Sequence, residues 1–216
     1  MSSSTLRDDS ALKPLPVPRG EKRRQEIAAV AERVFFTQGF TDTTMQFIAA
    51  EAGASKETLY RHFGCKEALF SEIVKNRANR FLERLDENLR KPGSVAEVLR
   101  DLGSRLLDAM TRDDSLCLSQ IVISERPRNP DLGRIFYEQG PARVQKRLTQ
   151  YLAIAHERGE LRCADPLLAA RLFLGAVVGN YYIKGLVIPD HETISKNQIL
   201  AHVDEAVAVF LARYGA

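Results

Sequence analysis

From Arg19 to the end of the chain, apolar residues recur at helical rather than strand spacing. Ile27, Val30, Ala31 and Val34 share one face of a 3.6-residue period, and Gly39 stops that stretch. Thr43-Thr44-Met45-Gln46 has the form of a capping box, which predicts a second helix over 43–52, ended by Gly53. Ser55 is placed to cap a third, short helix ending at Tyr60 or His62, and Gly64 breaks the chain again. A long amphipathic helix follows over 66–89, with Leu69, Ile73, Val74, Phe81, Leu82 and Leu85 on its apolar face and Lys91-Pro92-Gly93 as its terminator. Ser94-Val95-Ala96-Glu97 is another capping box and opens a helix to about Thr111. Further helices are predicted over 114–126 and over 131–158, the latter interrupted at Gly140-Pro141 and stopped at Gly159. Asp165-Pro166 opens one to about Lys184, and the box Ser195-Lys196-Asn197-Gln198 opens the last, to about Arg213. Val187-Ile188 is assigned to a loop. The pattern therefore predicts an all-α fold of about nine helices, three at the N-terminus and then a bundle. Residues 1–18 carry Ser2, Ser3, Ser4, Ser10, Pro14, Pro16 and Pro18 without an apolar period, and are expected to form a disordered lead-in.

Composition narrows the class rather than the function. With 216 residues, 44% of them hydrophobic and 27% charged, the chain is long enough to bury a core without staples. A formal net charge of +3 excludes a histone-like basic chain and an acidic tail protein, but leaves room for a local basic patch. Cys65, Cys117 and Cys163 are odd in number and lack metal-ligand spacing, so they read as reduced thiols. The N-terminus has no signal-peptide pattern. The uncharged run from Leu172 to Ile183 is too short to span a bilayer, and Arg171 and Lys184 bracket it. The expectation is a soluble cytoplasmic protein with no membrane partner.

Two short helices joined by a Gly-containing turn, the shape predicted for 43–62, form a helix-turn-helix. Ala49 and Gly53 are small where the two must cross, and Phe35, Ile48, Ala52, Leu59 and Phe63 can supply a small core. Local charge fits a DNA role. Arg19, Lys22, Arg23 and Arg24 cluster with only Glu21 opposing, and Lys56, Arg61 and Lys66 lie on or beside the third helix, opposed by Glu57. Phosphates accept from basic side chains, hydroxyls and helix N-termini, and the caps at Thr43 and Ser55 expose such N-termini. Periodicity alone describes equally a three-helix subdomain whose charges are a solvated face.

The wording of residues 24–72 goes further. Ile27-Ala28-Ala29, Phe35-Phe36-Thr37-Gln38-Gly39-Phe40 and Thr43-Thr44-Met45-Gln46-Phe47-Ile48-Ala49 run in order along the chain. Ala52-Gly53-Ala54-Ser55-Lys56-Glu57-Thr58-Leu59-Tyr60-Arg61-His62-Phe63 and Lys66-Glu67-Ala68-Leu69 follow them. This stretch closely resembles the TetR family of bacterial transcription regulators. The resemblance implies a DNA-binding domain over 19–65 and a ligand-sensing and dimerisation domain over 66–216. It implies that Ala54, Ser55, Lys56 and Thr58 face base edges or adjacent phosphates in the major groove, and that Thr44, Tyr60, His62 and Lys66 clamp phosphates. It further implies that the arm with Arg19, Lys22, Arg23 and Arg24 approaches the flanking backbone or minor groove. Glu57 departs from the family, where glycine is common, and either accepts from cytosine N4 or points away. Phe47 stands where a smaller or polar residue is usual and reads as packing. For Ser55 and Thr43 the plain alternative is a cap alone, and for Tyr60 it is packing.

The remaining chain matches the family in layout. The helix after Asp165 is apolar on nearly every face, as for a helix buried on all sides. Leu168, Leu172, Gly175, Gly179 and Tyr182, with Val203, Ala206, Val207 and Phe210 of the last helix, are expected to form an isologous homodimer interface. The same residues would also serve a deep monomer core. A small-molecule effector of mainly apolar character is expected in the bundle. Leu106, Met110, Cys117, Gln120, Ile121, Phe136, Tyr137, Phe173, Asn180 and Tyr181 are the candidate lining, and the helix over 66–89 is the expected lever. Asn180, inside an apolar run, calls for a partner.

An enzyme is the main rival. His62, His156, His191 and His202 form no metal pair, and no phosphate loop or dinucleotide glycine motif occurs, so neither metal nor cofactor is expected. Cys117 or Cys163 with His156 is the one conceivable thiol pair. A helical interaction protein without DNA binding is the other rival, opposed by the intact Ser55 to His62 stretch. The reading favoured is a regulator, a repressor by family habit, that binds a palindromic operator as a homodimer.

Overall fold

The computed structural model describes residues 19–89 and 93–216. The expectations for residues 1–18 and for the terminator at 91–92 lie outside the described residues, as do the side chains of Arg19 and Leu85. The chain is all-α, as the hydrophobic period requires. Its helices are α1 (Arg19–Gln38), α2 (Met45–Glu51), α3 (Lys56–Phe63), α4 (Lys66–Leu89) and α5 (Val95–Met110). They continue as α6 (Asp113–Glu125), α7 (Pro130–Gln139), α8 (Pro141–Glu157), α9 (Pro166–Val187) and α10 (Lys196–Tyr214). The interrupted rod expected over 131–158 is two helices, α7 and α8, meeting at Gly140. Pro141 opens α8 because a first-turn residue needs no intrahelical N–H partner. Counted as one rod, the pair gives nine helices among the described residues, the number expected. The capping boxes at Ser94 and Ser195 form as predicted, each with reciprocal bonds to Glu97 or Gln198. Asp165 caps α9 by accepting from the Leu168 N–H at 2.9 Å.

At α2 the expected box does not form: the cap lies one residue later, and Phe47 at the third helical position has no side-chain acceptor to complete a box. Thr44, not Thr43, is the N-cap and accepts from the Phe47 N–H at 3.1 Å. Thr43 is buried and donates its hydroxyl to the Gly39 carbonyl at 2.6 Å. The competing bond satisfies the carbonyl at the end of α1, which a cap at Thr43 would leave open.

Two cores form. One joins Ile27, Phe35, Phe40, Ile48, Leu59, Phe63, Leu69 and Phe70 with Leu118, Ile121 and Leu132 of α6 and α7. Phe35, Phe40 and Phe70 meet with ring centroids 5.3–6.2 Å apart. Fully burying each such ring contributes roughly 2–3 kcal/mol. The other core packs Leu99, Leu102 and Leu107 of α5 and Leu148 and Leu152 of α8 against Phe173, Val177, Val203, Val207 and Phe210. There α5 approaches α10 so closely that a Cβ on Gly103 would stand 2.8 Å from Val203.

This second core overturns half of the expected interface. Val203, Ala206, Val207 and Phe210 face inward and are buried within their own chain. Helix α10 instead exposes Leu200 and Val209. Nor is α9 covered on all sides. Ala169, Ala170, Phe173, Val177 and Gly185 are buried, whereas Leu168, Leu172, Gly175, Gly179, Ile183 and Val187 are exposed and Tyr182 is half-buried. Among the described residues α9 is the one helix long and apolar enough to cross a membrane, by length and composition. The uncharged 12-residue run had understated that length.

Candidate nucleic-acid interface

The turn between α2 and α3 is built by the backbone. The Ala54 N–H reaches the Ala49 carbonyl at 2.9 Å and the Gly53 N–H reaches Ala50 at 3.0 Å. This is the crossed pattern that ends a helix in a left-handed residue. Gly53 takes that conformation, with φ +55°, at no steric cost. Ser55 then caps α3, accepting from the Thr58 N–H at 3.1 Å and pairing with its hydroxyl at 2.8 Å. Leu59 and Phe63 face the core, so the opposite face of α3 is turned outward. That face carries Ser55, Lys56, Glu57, Tyr60 and Arg61, all exposed, with Ala54, Thr58 and His62 half-buried beside it. The Lys56 ammonium lies 5.9 Å from the Tyr60 ring centroid, and Tyr60 is 43% exposed. Thr44 is exposed at the start of α2. Phe47 is 39% exposed and is not the packing residue expected.

Three cations assigned to phosphates are held by the protein itself. The Lys66 ammonium donates to the carbonyls of Phe40 at 2.6 Å, Thr41 at 3.2 Å and Thr43 at 2.7 Å, so its three N–H donors are spent. It also lies 4.5 Å from the Phe40 ring centroid. Burial pulls this ammonium below its ordinary pKa, against Glu67, Glu125 and Asp42, which raise it. Arg23 donates to the carbonyls of Ala52 at 2.7 Å and Gly53 at 2.8 Å and pairs with Glu26, so it closes the α2 terminus. Arg24 pairs with the buried Glu72 at 2.9 Å and stacks on Phe63. Lys22 is exposed. Each spent cation satisfies orphan carbonyls or a buried carboxylate, groups that are costly to leave without a partner.

The proposed effector lining does not converge. Cys117, Ile121 and Phe136 belong to the first core, Phe173 is buried in the second and Tyr181 packs against it. Leu106 is buried and Met110 half-buried on α5. Tyr137 is exposed, and Gln120, also exposed, donates to the Leu186 carbonyl at 3.1 Å. Asn180, expected to be buried, is exposed on the uncovered side of α9. The helical period marks a buried face, but neither the burial of each residue beside it nor the core it joins. Among the described residues a small cleft of about 60 Å³, partly open to solvent, lies at the α9–α10 connection. It shares only Tyr181 with the expected set and is otherwise lined by Thr111, Lys184, His191, Glu192, Thr193, Ile194 and Gln198. Cys163 is a buried core thiol, and the His156 ring is engaged by the Leu161 carbonyl at 3.0 Å.

Sequence reasoning missed one residue of consequence. Glu125, the last residue of α6, is 6% exposed and accepts from the Thr41 N–H at 3.1 Å and the Thr41 hydroxyl at 2.6 Å. Its signal, a lone carboxylate in the Ser-Glu-Arg-Pro end of a helix, is indistinguishable from a solvated charge.

A capped helix-turn-helix with an exposed polar recognition face, seated on a larger helical body, defines a DNA-binding regulator. Residues 27–73 match the family described as bacterial regulatory proteins, tetR family. Residues 97–216 match the AefR-like transcriptional repressor, C-terminal domain. The chain belongs to the TetR family of transcriptional regulators. The structure of a TetR-family regulator from Mesorhizobium loti is 30% identical, with a TM-score of 0.81, covering 93% of this chain and all of the other. The Flavonoid-responsive Regulator FrrA is 30% identical, with a TM-score of 0.71 over 90% of this chain and 98% of its own. The repressor AcnR of Corynebacterium efficiens is 26% identical over 77% of this chain and 85% of its own length.

Proposed function

We propose that the protein is a homodimeric repressor that binds a palindromic operator in the cytoplasm and is released by a small, mainly apolar effector. The observation that carries the DNA reading is the outward face of α3, where Ser55, Lys56, Glu57 and Tyr60 stand exposed beside the capped helix N-termini. Ala54, Ser55, Lys56 and Thr58 face base edges or the phosphates beside them, while Thr44, Tyr60, His62 and Lys22 approach phosphates. Dimerisation is supported by the apolar stripe of α9, with Leu168, Leu172, Ile183 and Val187 uncovered around Gly175 and Gly179, and by Leu200 and Val209 on α10. A two-fold axis would set two reading heads about one DNA turn, roughly 34–36 Å, apart. Repression is supported by the match to a repressor C-terminal domain and by the likeness to AcnR. The effector class is supported by the likeness to a flavonoid-responsive relative.

The test is selection of an operator from random duplex DNA, followed by titration at several salt concentrations. Binding falls linearly in log–log form with salt as counterions are released. Tyr60→Ala lowers affinity about tenfold for all sequences alike, the loss of one hydrogen bond to a charged group. Wild-type affinity in Tyr60→Ala and Ser55→Ala together would remove the proposed contact face.

A further inference from the structure

We propose that Glu125 is a positioning residue for DNA reading: from the end of α6 it grips the α1–α2 turn and sets the angle of the reading head on the body. The proposal rests on the operator-binding dimer above.

Both Glu125 oxygens are engaged by one residue, Thr41, through its N–H and its hydroxyl. Thr41 lies in a turn whose carbonyls, at Phe40, Thr41 and Thr43, are already held by Lys66. The same turn leads into the Thr44 cap of α2. It is thus clasped by a cation from α4 on one side and a carboxylate from α6 on the other. Only the carboxylate comes from outside the first four helices.

The packing of α6 against the head does not depend on this carboxylate. Ile121 and Leu118, one and two turns earlier on α6, already pack into the shared core. A buried carboxylate is expensive unless fully hydrogen-bonded, and an apolar side chain of similar size often serves stability as well. What a doubly bonded carboxylate adds is direction. Hydrogen bonds weaken steeply off axis, whereas apolar contacts tolerate sliding.

The other end of α6 is tied as well. Arg77 of α4 pairs with Glu32 of α1 and donates to Asp114 at 2.8 Å and Ser115 at 3.2 Å. Burial works to lower the Arg77 pKa, but Glu32 and Asp114 outweigh it and the net direction is upward, so the guanidinium stays charged. Between the two ties, about 16 Å apart at 1.5 Å per residue, Gln120 donates to the Leu186 carbonyl of α9. Hydrogen bonds therefore run from the helix with the uncovered stripe, through α6, to the turn that carries α2.

The experiment measures affinity for the selected operator and for versions with one base pair added or removed between half-sites. Wild type is expected to lose at least about tenfold on either change, as for a misplaced base contact. Glu125→Ala is expected to bind the parent operator about tenfold more weakly and all three spacings about equally. Thr41→Val, an isosteric change at an exposed position, moves the same way by less. Glu125→Gln, which keeps an acceptor oxygen, restores part of the spacing preference. A purely structural Glu125 would lower the melting temperature and leave the spacing preference intact. Retention of that preference in both Glu125→Ala and Thr41→Val overturns the proposal. If Glu125→Ala does not fold, Thr41→Val alone decides. If wild-type protein selects no operator, the regulator reading falls and this proposal with it, a result distinct from selection without spacing preference in the variants.

Discussion

Lys66, Arg23 and Arg24 show what happens to a cation when a protein's own backbone lies within reach. Each belongs to a cluster that a DNA-binding surface would use, and each is committed within the chain, Lys66 and Arg23 to carbonyls of the head and Arg24 to a carboxylate of α4. Lys66 is the clearest, because one ammonium holds three carbonyls of a turn that otherwise has no regular structure. Lys66→Met keeps the stem and removes the donors. It is expected to lower stability by about 2 kcal/mol in urea unfolding, since water takes over part of the exposed carbonyls' bonding. Weaker DNA binding should accompany that loss. Weaker binding at unchanged stability would return Lys66 to the phosphates.

At the scale of the element, two glycines of the bundle carry opposite meanings. Gly103 on α5 faces Val203, Val177 and Phe173, all at or inside contact distance of an added Cβ. A Cβ added to Gly175 on α9 would meet nothing within 4 Å among the described residues. Gly103→Leu is expected to overpack the second core, costing about 1–3 kcal/mol or more. Gly175→Leu leaves the chain folded and acts on association instead. Thermal melting and sedimentation of the two variants separate these outcomes. A Gly103→Leu protein as stable as wild type would contradict the close approach of α5 and α10. The helix ends were legible beforehand, since Ser94, Ser195 and Asp165 cap within four residues of their own position. The cap of α2 was not, because Thr43 was diverted to the Gly39 carbonyl.

For the whole molecule, the uncovered stripe of α9 and the exposed Leu200 and Val209 of α10 are the apolar groups on which the proposed dimer depends. If folding and association are linked, the melting temperature rises with protein concentration. Leu172→Glu should abolish that dependence and yield a smaller sedimenting species with its helix content intact. A wild-type melting temperature independent of concentration, with a monomer in sedimentation, would remove the dimer from the reading.

Local signals settled the helix order, the turn at Gly53, the caps at Ser55, Ser94, Asp165 and Ser195, and through the wording of residues 24–72 the family. Those signals act over three or four residues, within reach of a periodic pattern. Which cations stay free, and which apolar face stays uncovered, was decided by partners far along the chain. Arg23 meets Ala52 across 29 residues, and Glu125 meets Thr41 across 84. Helix α10 shows the same limit. Its period marks an apolar face at Val203, Val207 and Phe210, but only packing against α5 and α9 turns that face inward and leaves Leu200 and Val209 outside. A hydrophobic period states that a face is buried, and the neighbour that buries it is fixed only when the helices assemble.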